Sequence, residues 1–168
     1  MKIGVTAASG NLGSAIIKEL TLEIGGDNIV GIARTPENAK ALHVEIRKGD
    51  YNSKEELLLA LKGIDALLIV SGMDYPDKRI VQHRNIISAA KENGVKKIVY
   101  TSIIGSPEGN AFSPIVASNR QTEEDIKNSG LQWAIGRNGL YIEPDLEHIE
   151  IYKNEGAIIN CAAVGKCG

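Results

Sequence analysis

Buried-strand patterns and amphipathic-helix patterns alternate six times along this chain, and this alternation limits its fold more than any other feature. The connections are too long for hairpins, so successive strands are expected to run parallel. Strands are predicted at residues 2–6, 28–33, 43–47, 65–70, 97–102 and 131–136. Helices are predicted at residues 11–24, 36–42, 54–62, 77–93, 115–128 and 144–153, and a short apolar run lies at 158–159.

The alternation predicts an α/β fold of the Rossmann type, a doubly wound parallel sheet of about six strands with helices on both faces. A chain of 168 residues suits one domain, so a single domain is predicted over residues 1–168. Sheets of this kind bind ligands outside the carboxyl ends of their strands. The residues that directly follow each strand are therefore the candidates for a functional site.

The first strand-to-helix turn has the composition of a phosphate-binding turn. Its sequence is Thr6-Ala7-Ala8-Ser9-Gly10-Asn11-Leu12-Gly13, with two of three expected glycines and Ala7 where the first would fall. Because a helix N-terminus offers free N–H groups and a positive dipole end, the turn suits a pyrophosphate. With alanine at position 7, a negative φ is expected there. The predicted cofactor contacts in this stretch are Thr6, Ala8, Ser9, Gly10, Asn11 and Leu12.

Arg34, at the end of the second predicted strand, bears on the choice between NAD(H) and NADP(H). It follows the strand at once, at about the 20-residue distance where an acidic residue would bind the ribose of NAD. An arginine there can accept a 2′-phosphate, because its guanidinium presents several donors in phosphate geometry. The alternative is an ordinary surface arginine at a helix start. A cation is unfavourable at a helix start, so the sequence favours NADP(H).

Polar or glycine residues also follow the later strands. Ser71 and Gly72 are predicted to contact the cofactor, although hydroxyls at strand ends can equally cap the local backbone. Ser102 has the same two interpretations. After the sixth strand, Asn138 and Gly139 are further predicted cofactor contacts, and either could take a positive φ in a structural turn.

Other features narrow the function. His83 and Arg84 lie inside a predicted helix and are interpreted as packing or solvent-facing residues. A net charge of −2 and a pI near 5.9 give no basic surface for nucleic acid. Apolar stretches fall short of the roughly 20 residues that span a bilayer, so no membrane span is predicted. Cys161 and Cys167 lack the partners of a metal site, and none is predicted. Their use is typical of a reduced compartment, so a cytoplasmic protein is expected.

Four stretches of the chain carry a family resemblance: residues 6–13 of the first turn, Ala33-Arg34-Thr35-Pro36, Gln82-His83-Arg84-Asn85-Ile86-Ile87-Ser88-Ala89-Ala90-Lys91 and Arg137-Asn138-Gly139-Leu140-Tyr141. Through them the chain resembles the NmrA-like branch of the atypical short-chain dehydrogenases, and within it the bacterial NADPH-dependent quinone oxidoreductases. The resemblance implies NADPH held by the first turn and Arg34, with the loops 71–73 and 137–141 lining cofactor and substrate. It implies hydride transfer to a quinone-like small molecule, with Tyr141 as a candidate substrate contact.

The chain lacks the Tyr-x-x-x-Lys pair of typical short-chain dehydrogenases, as this branch does, but it differs from related quinone reductases at two other points. They tend to carry a histidine near Asn119, which counts against a polar role for the asparagine at this position. Ser102 and Asn119 are therefore only weak catalytic candidates, and the catalytic residues are otherwise unknown. Family members also continue well beyond this length, so the carboxyl-terminal part of the substrate pocket is expected to be largely absent.

Two alternative functions and one question of assembly stay open at this point. The chain could be a non-catalytic NADP(H)-binding sensor, a function that needs no proton relay. It could instead be a relative of the nucleoside-diphosphate-sugar epimerases, which the missing Tyr-x-x-x-Lys pair disfavours. A homo-oligomer is an open alternative to a monomer.

Overall fold

Six parallel strands form one sheet in the order β3-β2-β1-β4-β5-β6. The computed structural model describes residues 1–139, 141, 146 and 148–156. The order reverses between β1 and β4, which lie side by side and lead into helices on opposite faces. This confirms the predicted doubly wound α/β fold. The strands are β1 (Ile3–Thr6), β2 (Ile29–Ala33), β3 (Glu45–Lys48), β4 (Ala66–Val70), β5 (Lys97–Ile103) and β6 (Gln132–Asn138).

The helices follow the predicted positions, with differences at their ends. The helices predicted at 11–24 and 36–42 have those same bounds, the first as an α-helix and the second as the 3-10 helix Pro36–Leu42. The helix predicted at 144–153 falls partly outside the described residues. The α-helices are α1 (Asn11–Ile24), α2 (Lys54–Ala60), α3 (Pro76–Glu92), α4 (Ser113–Lys127) and α5 (Ile149–Glu155).

The strand β2 shows why the sheet is covered on both faces. All five of its residues are buried, so its side chains point alternately into two separate apolar clusters. Ile29 and Ala33 pack with Ile17 of α1 on one face. Val30 and Ile32 join the other cluster, which the helices α2, α3 and α4 cover. Burial on both faces fixes the register of the strand and hence the residues at its carboxyl end.

The start of α2 forms one half of a capping box, the S-x-x-E pattern of Ser53 and Glu56. The Ser53 hydroxyl accepts a hydrogen bond from the amide of Glu56 at 3.2 Å. The carboxylate of Glu56 does not return to Ser53. It accepts from the amide of Asp50 at 3.1 Å and pairs with Lys48 at 2.7 Å. The loop after β3 is thereby tied to the first turn of the helix.

The chain divides into two compact units, residues Met1–Asn138 and Gly139–Gly168. The first contains the whole sheet and the helices α1 to α4. Of the second, the structure describes residues 139, 141, 146 and 148–156, which include the exposed helix α5. The apolar run at 158–159 and both cysteines lie outside the described residues. Within the described part, none of the helices is both long and apolar enough to cross a bilayer.

Candidate functional site

A cavity of about 460 Å³ lies at the carboxyl ends of β1, β2, β3 and β4, and we call it the crevice. It opens beside the boundary between β1 and β4, where the strand order reverses. Ligands of doubly wound sheets bind at such a reversal. Its lining residues come from five separate loops or helices: Ala7, Ser9, Gly10, Ile32, Arg34, Thr35, Asn38, Gly49, Asp50, Tyr51, Asn52, Ser71, Gly72, Met73, Asp74 and Gln82.

The turn between β1 and α1 forms one wall of the crevice. The amide of Ala8 donates to the carbonyl of Ile32 at 3.0 Å, and the amide of Gly10 donates to the carbonyl of Ala7 at 2.9 Å. The expected negative φ at Ala7 is wrong, because Ala7 has a φ of +51° in the left-handed region. That conformation turns the chain sharply enough to start α1 at Asn11, and Gly10 caps the helix with a φ of −85°.

Gly13 allows α1 to approach this turn. A Cβ atom built on Gly13 would lie 2.3 Å from the carbonyl oxygen of Ala7, a distance that real Cβ contacts essentially never show. A Cβ atom on Gly10 would lie 3.3 Å from the same oxygen. The first helical turn of α1 therefore packs directly against the connection between β1 and α1. This contact keeps the N-terminus of the helix at the wall of the crevice.

Not all the residues predicted from this stretch reach the crevice. Ser9 and Gly10 line it, whereas Asn11 and Leu12 do not, and Ala8 and Thr6 are completely buried. The Thr6 hydroxyl accepts a hydrogen bond from the amide of Val70 at 2.9 Å and lies 2.6 Å from the Tyr51 hydroxyl. Thr6 thus joins β1 to β4 beneath the crevice rather than lining it.

Tyr51 also lines the crevice, although it was not among the residues predicted for the site. Its hydroxyl donates to the carbonyl of Val70 at 2.9 Å, which fixes the ring across the ends of β1 and β4. Burial raises the pKa of Tyr51, so the phenol stays protonated. Its place depends on a long-range contact between a loop residue and two strands, which a local sequence pattern does not reveal.

Arg34 is exposed and lines the crevice, next to Thr35 and Asn38 at the end of β2. Its guanidinium forms no hydrogen bond within the described part of the chain. Asp74 lines the same crevice, and hydrogen bonds from Gln82 and Lys78, aided by the charge of Arg34, hold the pKa of Asp74 below its ordinary value. The crevice therefore has an anionic group that is already paired and a cation whose donors are free.

The segment Ser71–Asp74, which we call the rim segment, follows β4 and forms a second wall. The amide of Ser71 donates to the Thr101 hydroxyl at 3.0 Å, and the Ser71 hydroxyl donates to Asn119 Oδ1 at 3.1 Å. The amide of Gly72 donates to Nε2 of His83 at 3.0 Å. The predicted contacts Ser71 and Gly72 both line the crevice, and their main-chain amides are held from behind by side chains of β5 and α3.

Both weak catalytic candidates are buried away from the crevice lining. Asn119 Oδ1 accepts hydrogen bonds from Ser71 and Tyr100, and its amide nitrogen donates to the carbonyl of Ile115. The Ser102 hydroxyl donates to Oε1 of Glu123 at 2.6 Å. Both side chains are buried and held by these partners, which favours a structural part for each.

Glu123 is the centre of a buried ionic cluster. It accepts hydrogen bonds from Arg120 at 2.7 Å and from Arg137 at 2.7 and 3.0 Å, in addition to Ser102. Burial alone would raise the pKa of its carboxyl, but the hydrogen bonds from Arg137 and Ser102 and the two arginine charges lower it to about 2. The cluster joins α4 to the ends of β5 and β6, and sequence patterns did not reveal it.

The predicted contacts beyond β6 fall on both sides of the division between the two units. Asn138 ends β6, and its carbonyl accepts a hydrogen bond from the amide of Ile104 at 2.8 Å. Neither Asn138 nor Gly139 takes a positive φ, contrary to the conformation considered for them. Gly139 and the exposed Tyr141 belong to the second unit. Their predicted contacts with cofactor and substrate stay predictions.

A family model described as NAD(P)H-binding matches residues 7–159 of the chain. The match includes the turn, Arg34 and the rim segment. The chain belongs to this NAD(P)H-binding family. Quinone oxidoreductase 2 of Escherichia coli (strain K12) is 36% identical over 170 residues, a match that covers 98% of the chain and 57% of that relative. These matches confirm the resemblance to the NmrA-like quinone oxidoreductases.

Two solved structures share the fold closely. The Citrobacter sp. triphenylmethane reductase complexed with NADP(H) has a TM-score of 0.91 and 35% identity, covering 98% of this chain and 59% of that one. The NADPH-dependent quinone oxidoreductase from Escherichia coli complexed with NADPH has a TM-score of 0.85 and 35% identity, covering 96% and 57%. The chain thus spans less than two thirds of the length of the relatives it matches.

Proposed function

We propose that this chain binds NADPH in the crevice as part of an oxidoreductase that transfers hydride to a quinone-like small molecule. The observation that carries the proposal is the exposed Arg34 at the end of β2, with its guanidinium donors unused in the described chain. Solved relatives of the same fold are described as complexes with NADP(H) and with NADPH, which supports the same cofactor here.

The turn at Ala7–Gly10 is the proposed seat of the pyrophosphate. The N-terminus of α1 points its first amides out of the turn, and Gly10 brings main chain to the crevice wall with no side chain in the way. Arg34 is the proposed partner of the 2′-phosphate, because a guanidinium can donate several charge-assisted hydrogen bonds to phosphate oxygens. Ser71 and Gly72 form the wall on which the dinucleotide continues toward β5.

Bound NADPH would supply the hydride in this proposal. The chain's own residues bind and orient the dinucleotide, and α4 offers Ser118-Asn119-Arg120-Gln121-Thr122 where a Tyr-x-x-x-Lys pair would supply a proton. Reducing a quinone takes a hydride and a proton. We propose that the proton comes from water, while the protein contributes position and electrostatics.

The preference for NADPH is tested by replacing Arg34 with alanine and measuring dissociation constants by titration. Arg34→Ala is expected to weaken NADPH binding by about ten- to a hundredfold, because a charge-assisted hydrogen bond contributes about 1.5–3 kcal/mol. NADH binding should change by less than about twofold. The matched control is Arg84→Ala, which removes an exposed arginine that pairs with Asp125 and lies outside the crevice lining. Equal weakening of both dinucleotides would contradict the assignment of Arg34.

The catalytic part of the proposal has its own test. The chain is incubated with NADPH and a panel of quinones, and cofactor oxidation is followed by the loss of absorbance of the reduced nicotinamide. Oxidation that depends on both protein and quinone is expected. Tight NADPH binding with no turnover on any quinone would contradict the proposed oxidoreductase activity. It would favour the alternative of a non-catalytic cofactor sensor.

A further inference from the structure

His83 lies behind the rim segment, and no function has been assigned to it so far. It is fully buried on α3, and its Nε2 atom accepts a hydrogen bond from the amide of Gly72 at 3.0 Å. On the opposite side of the ring, Nδ1 lies 2.9 Å from the Thr122 hydroxyl on α4. One imidazole thus connects a helix to the wall of the crevice.

The tautomer of His83 follows from its partners. An amide N–H can only donate, so Nε2 must carry a lone pair and Nδ1 must carry the proton. Nδ1 then donates to the Thr122 hydroxyl, which donates in turn to the carbonyl of Ser118 at 3.1 Å. Every donor in this chain has one acceptor, so the direction of the hydrogen bonds is fixed from Gly72 to α4.

The surroundings keep His83 neutral and its ring immobile. Burial, with the charge of Arg79, lowers the pKa of His83 to about 3, so Nε2 stays an acceptor at physiological pH. The edges and faces of Tyr51 and Tyr100 enclose the ring, with centroid distances of 6.2 and 5.5 Å and near-perpendicular planes. Tyr51 itself lines the crevice.

The hydrogen bond to His83 matters because the residue that donates it is a glycine, Gly72. A glycine has more backbone freedom than any other residue, so the conformation of the rim segment must be set by its contacts. A Cβ atom on Gly72 would lie 3.3 Å from Gln82 Oε1, 3.6 Å from His83 Nε2 and 3.6 Å from Tyr51. The main chain therefore sits tightly against α3, and the hydrogen bond to His83 fixes which way its amide points.

We propose that His83 is a positioning residue, which holds the main chain of Gly72 in the conformation that the bound dinucleotide requires. The inference rests on the proposed function, since it assumes that NADPH occupies the crevice. His83 touches neither cofactor nor substrate and acts through Gly72. The buried chain Ser118–Thr122–His83–Gly72 thereby makes the packing of α3 against α4 part of the cofactor site.

Two substitutions of His83 separate the contact with Gly72 from the contact with Thr122. In His83→Gln, the longer amide can place its oxygen near the position of Nε2 and accept from Gly72. In His83→Asn, the shorter amide can place its nitrogen near the position of Nδ1 and donate to Thr122, but it leaves the Gly72 amide without an acceptor. Both variants lose one hydrogen bond and part of the ring.

The dissociation constant of NADPH is measured for the full chain and both variants, with urea unfolding of each. His83→Asn is expected to weaken binding about tenfold, and His83→Gln by less than about threefold, at similar losses of stability. Equal binding by both variants would overturn the inference, since a merely structural histidine would not distinguish them. If the unsubstituted chain binds no NADPH, the proposed function fails instead.

A measurement without cofactor keeps the inference testable if a variant does not fold. Amide hydrogen exchange of the unsubstituted chain is followed by nuclear magnetic resonance. The Gly72 amide is expected to exchange at least tenfold more slowly than the amide of Met73, which lies in the same segment with its side chain exposed. Equally fast exchange at both positions would overturn the hydrogen bond to His83.

Discussion

Replacing Gly13 with alanine tests the close approach of α1 to the turn. The new Cβ atom would lie 2.3 Å from the carbonyl oxygen and 2.8 Å from the carbonyl carbon of Ala7, both main-chain atoms. Restoring a separation of at least 3.0 Å from that oxygen moves helix and turn apart by about 0.7 Å, the difference between the two distances. Such overpacking typically costs about 1–3 kcal/mol.

The sign of the stability change makes this test sharp. In an open helix, alanine at a glycine position stabilises the folded state by about 1 kcal/mol. Both atoms that the new Cβ meets are main-chain atoms, so the overpacking cost should lie near the upper end, about 2–3 kcal/mol. We therefore expect Gly13→Ala to lower the free energy of unfolding by about 1–2 kcal/mol net in urea titrations. We also expect it to weaken NADPH binding about tenfold or more, because the wall of the crevice is displaced.

Gly10→Ala is the matched control on the same turn. Its Cβ atom would lie 3.3 Å from the carbonyl oxygen of Ala7, and Gly10 has a φ of −85° that alanine adopts without strain. Gly10→Ala is expected to lower the free energy of unfolding by less than about 1 kcal/mol, since it loses only the preference for glycine at the helix N-cap and makes one close contact. If Gly13→Ala proves as stable as the unsubstituted chain or more so, the reasoning about the approach of α1 is refuted.

Two further predictions concern buried titratable groups, each followed by urea unfolding at several pH values. The folded pKa of His83 is about 3, below the ordinary 6.5, so only the unfolded chain gains a proton as the pH falls. The free energy of unfolding should drop by about 2 kcal/mol from pH 7 to pH 5, and by much less in His83→Gln. Equal drops in the two proteins would contradict a buried, neutral His83 ring. The folded pKa of Glu123 is about 2, below 4.5, so its contribution is complete above pH 4.5 and is lost toward pH 2. Glu123→Gln should cost about 2–4 kcal/mol at pH 7 and remove that loss, and an unchanged acid transition would contradict the ionic cluster.

The sequence predicted the fold well because hydrophobic periodicity reports burial directly. β2 is buried on both faces, and its apolar run predicted a strand of a parallel sheet at residues 28–33. In a parallel sheet, strand ends lie at one edge, so Ser9, Arg34 and Ser71 were expected together, and all three line the crevice. The helical segment predicted at 36–42 is confirmed with its bounds as a 3-10 helix, a type that the sequence pattern does not specify over one or two turns.

What the sequence did not reveal depends on contacts between distant residues. The left-handed φ of Ala7 comes from the approach of α1 at Gly13, against the preference of alanine for a negative φ. Glu123 carried no prediction, because its partner Arg137 lies on β6, 14 residues further along the chain. His83 belongs to a stretch that carries the family resemblance. Its contact with Gly72 depends on the packing of α3 against the end of β4, which a local sequence pattern does not show.

The ratio of the dissociation constants of NADH and NADPH for the unsubstituted chain tests the central claim most directly. Both are measured by calorimetric titration at low ionic strength, where a contact between Arg34 and a phosphate is least screened. We expect NADPH to bind at least about tenfold more tightly than NADH, as charge-assisted hydrogen bonds to the 2′-phosphate require. Equal affinities, or no binding of either dinucleotide, would contradict an NADPH site in the crevice.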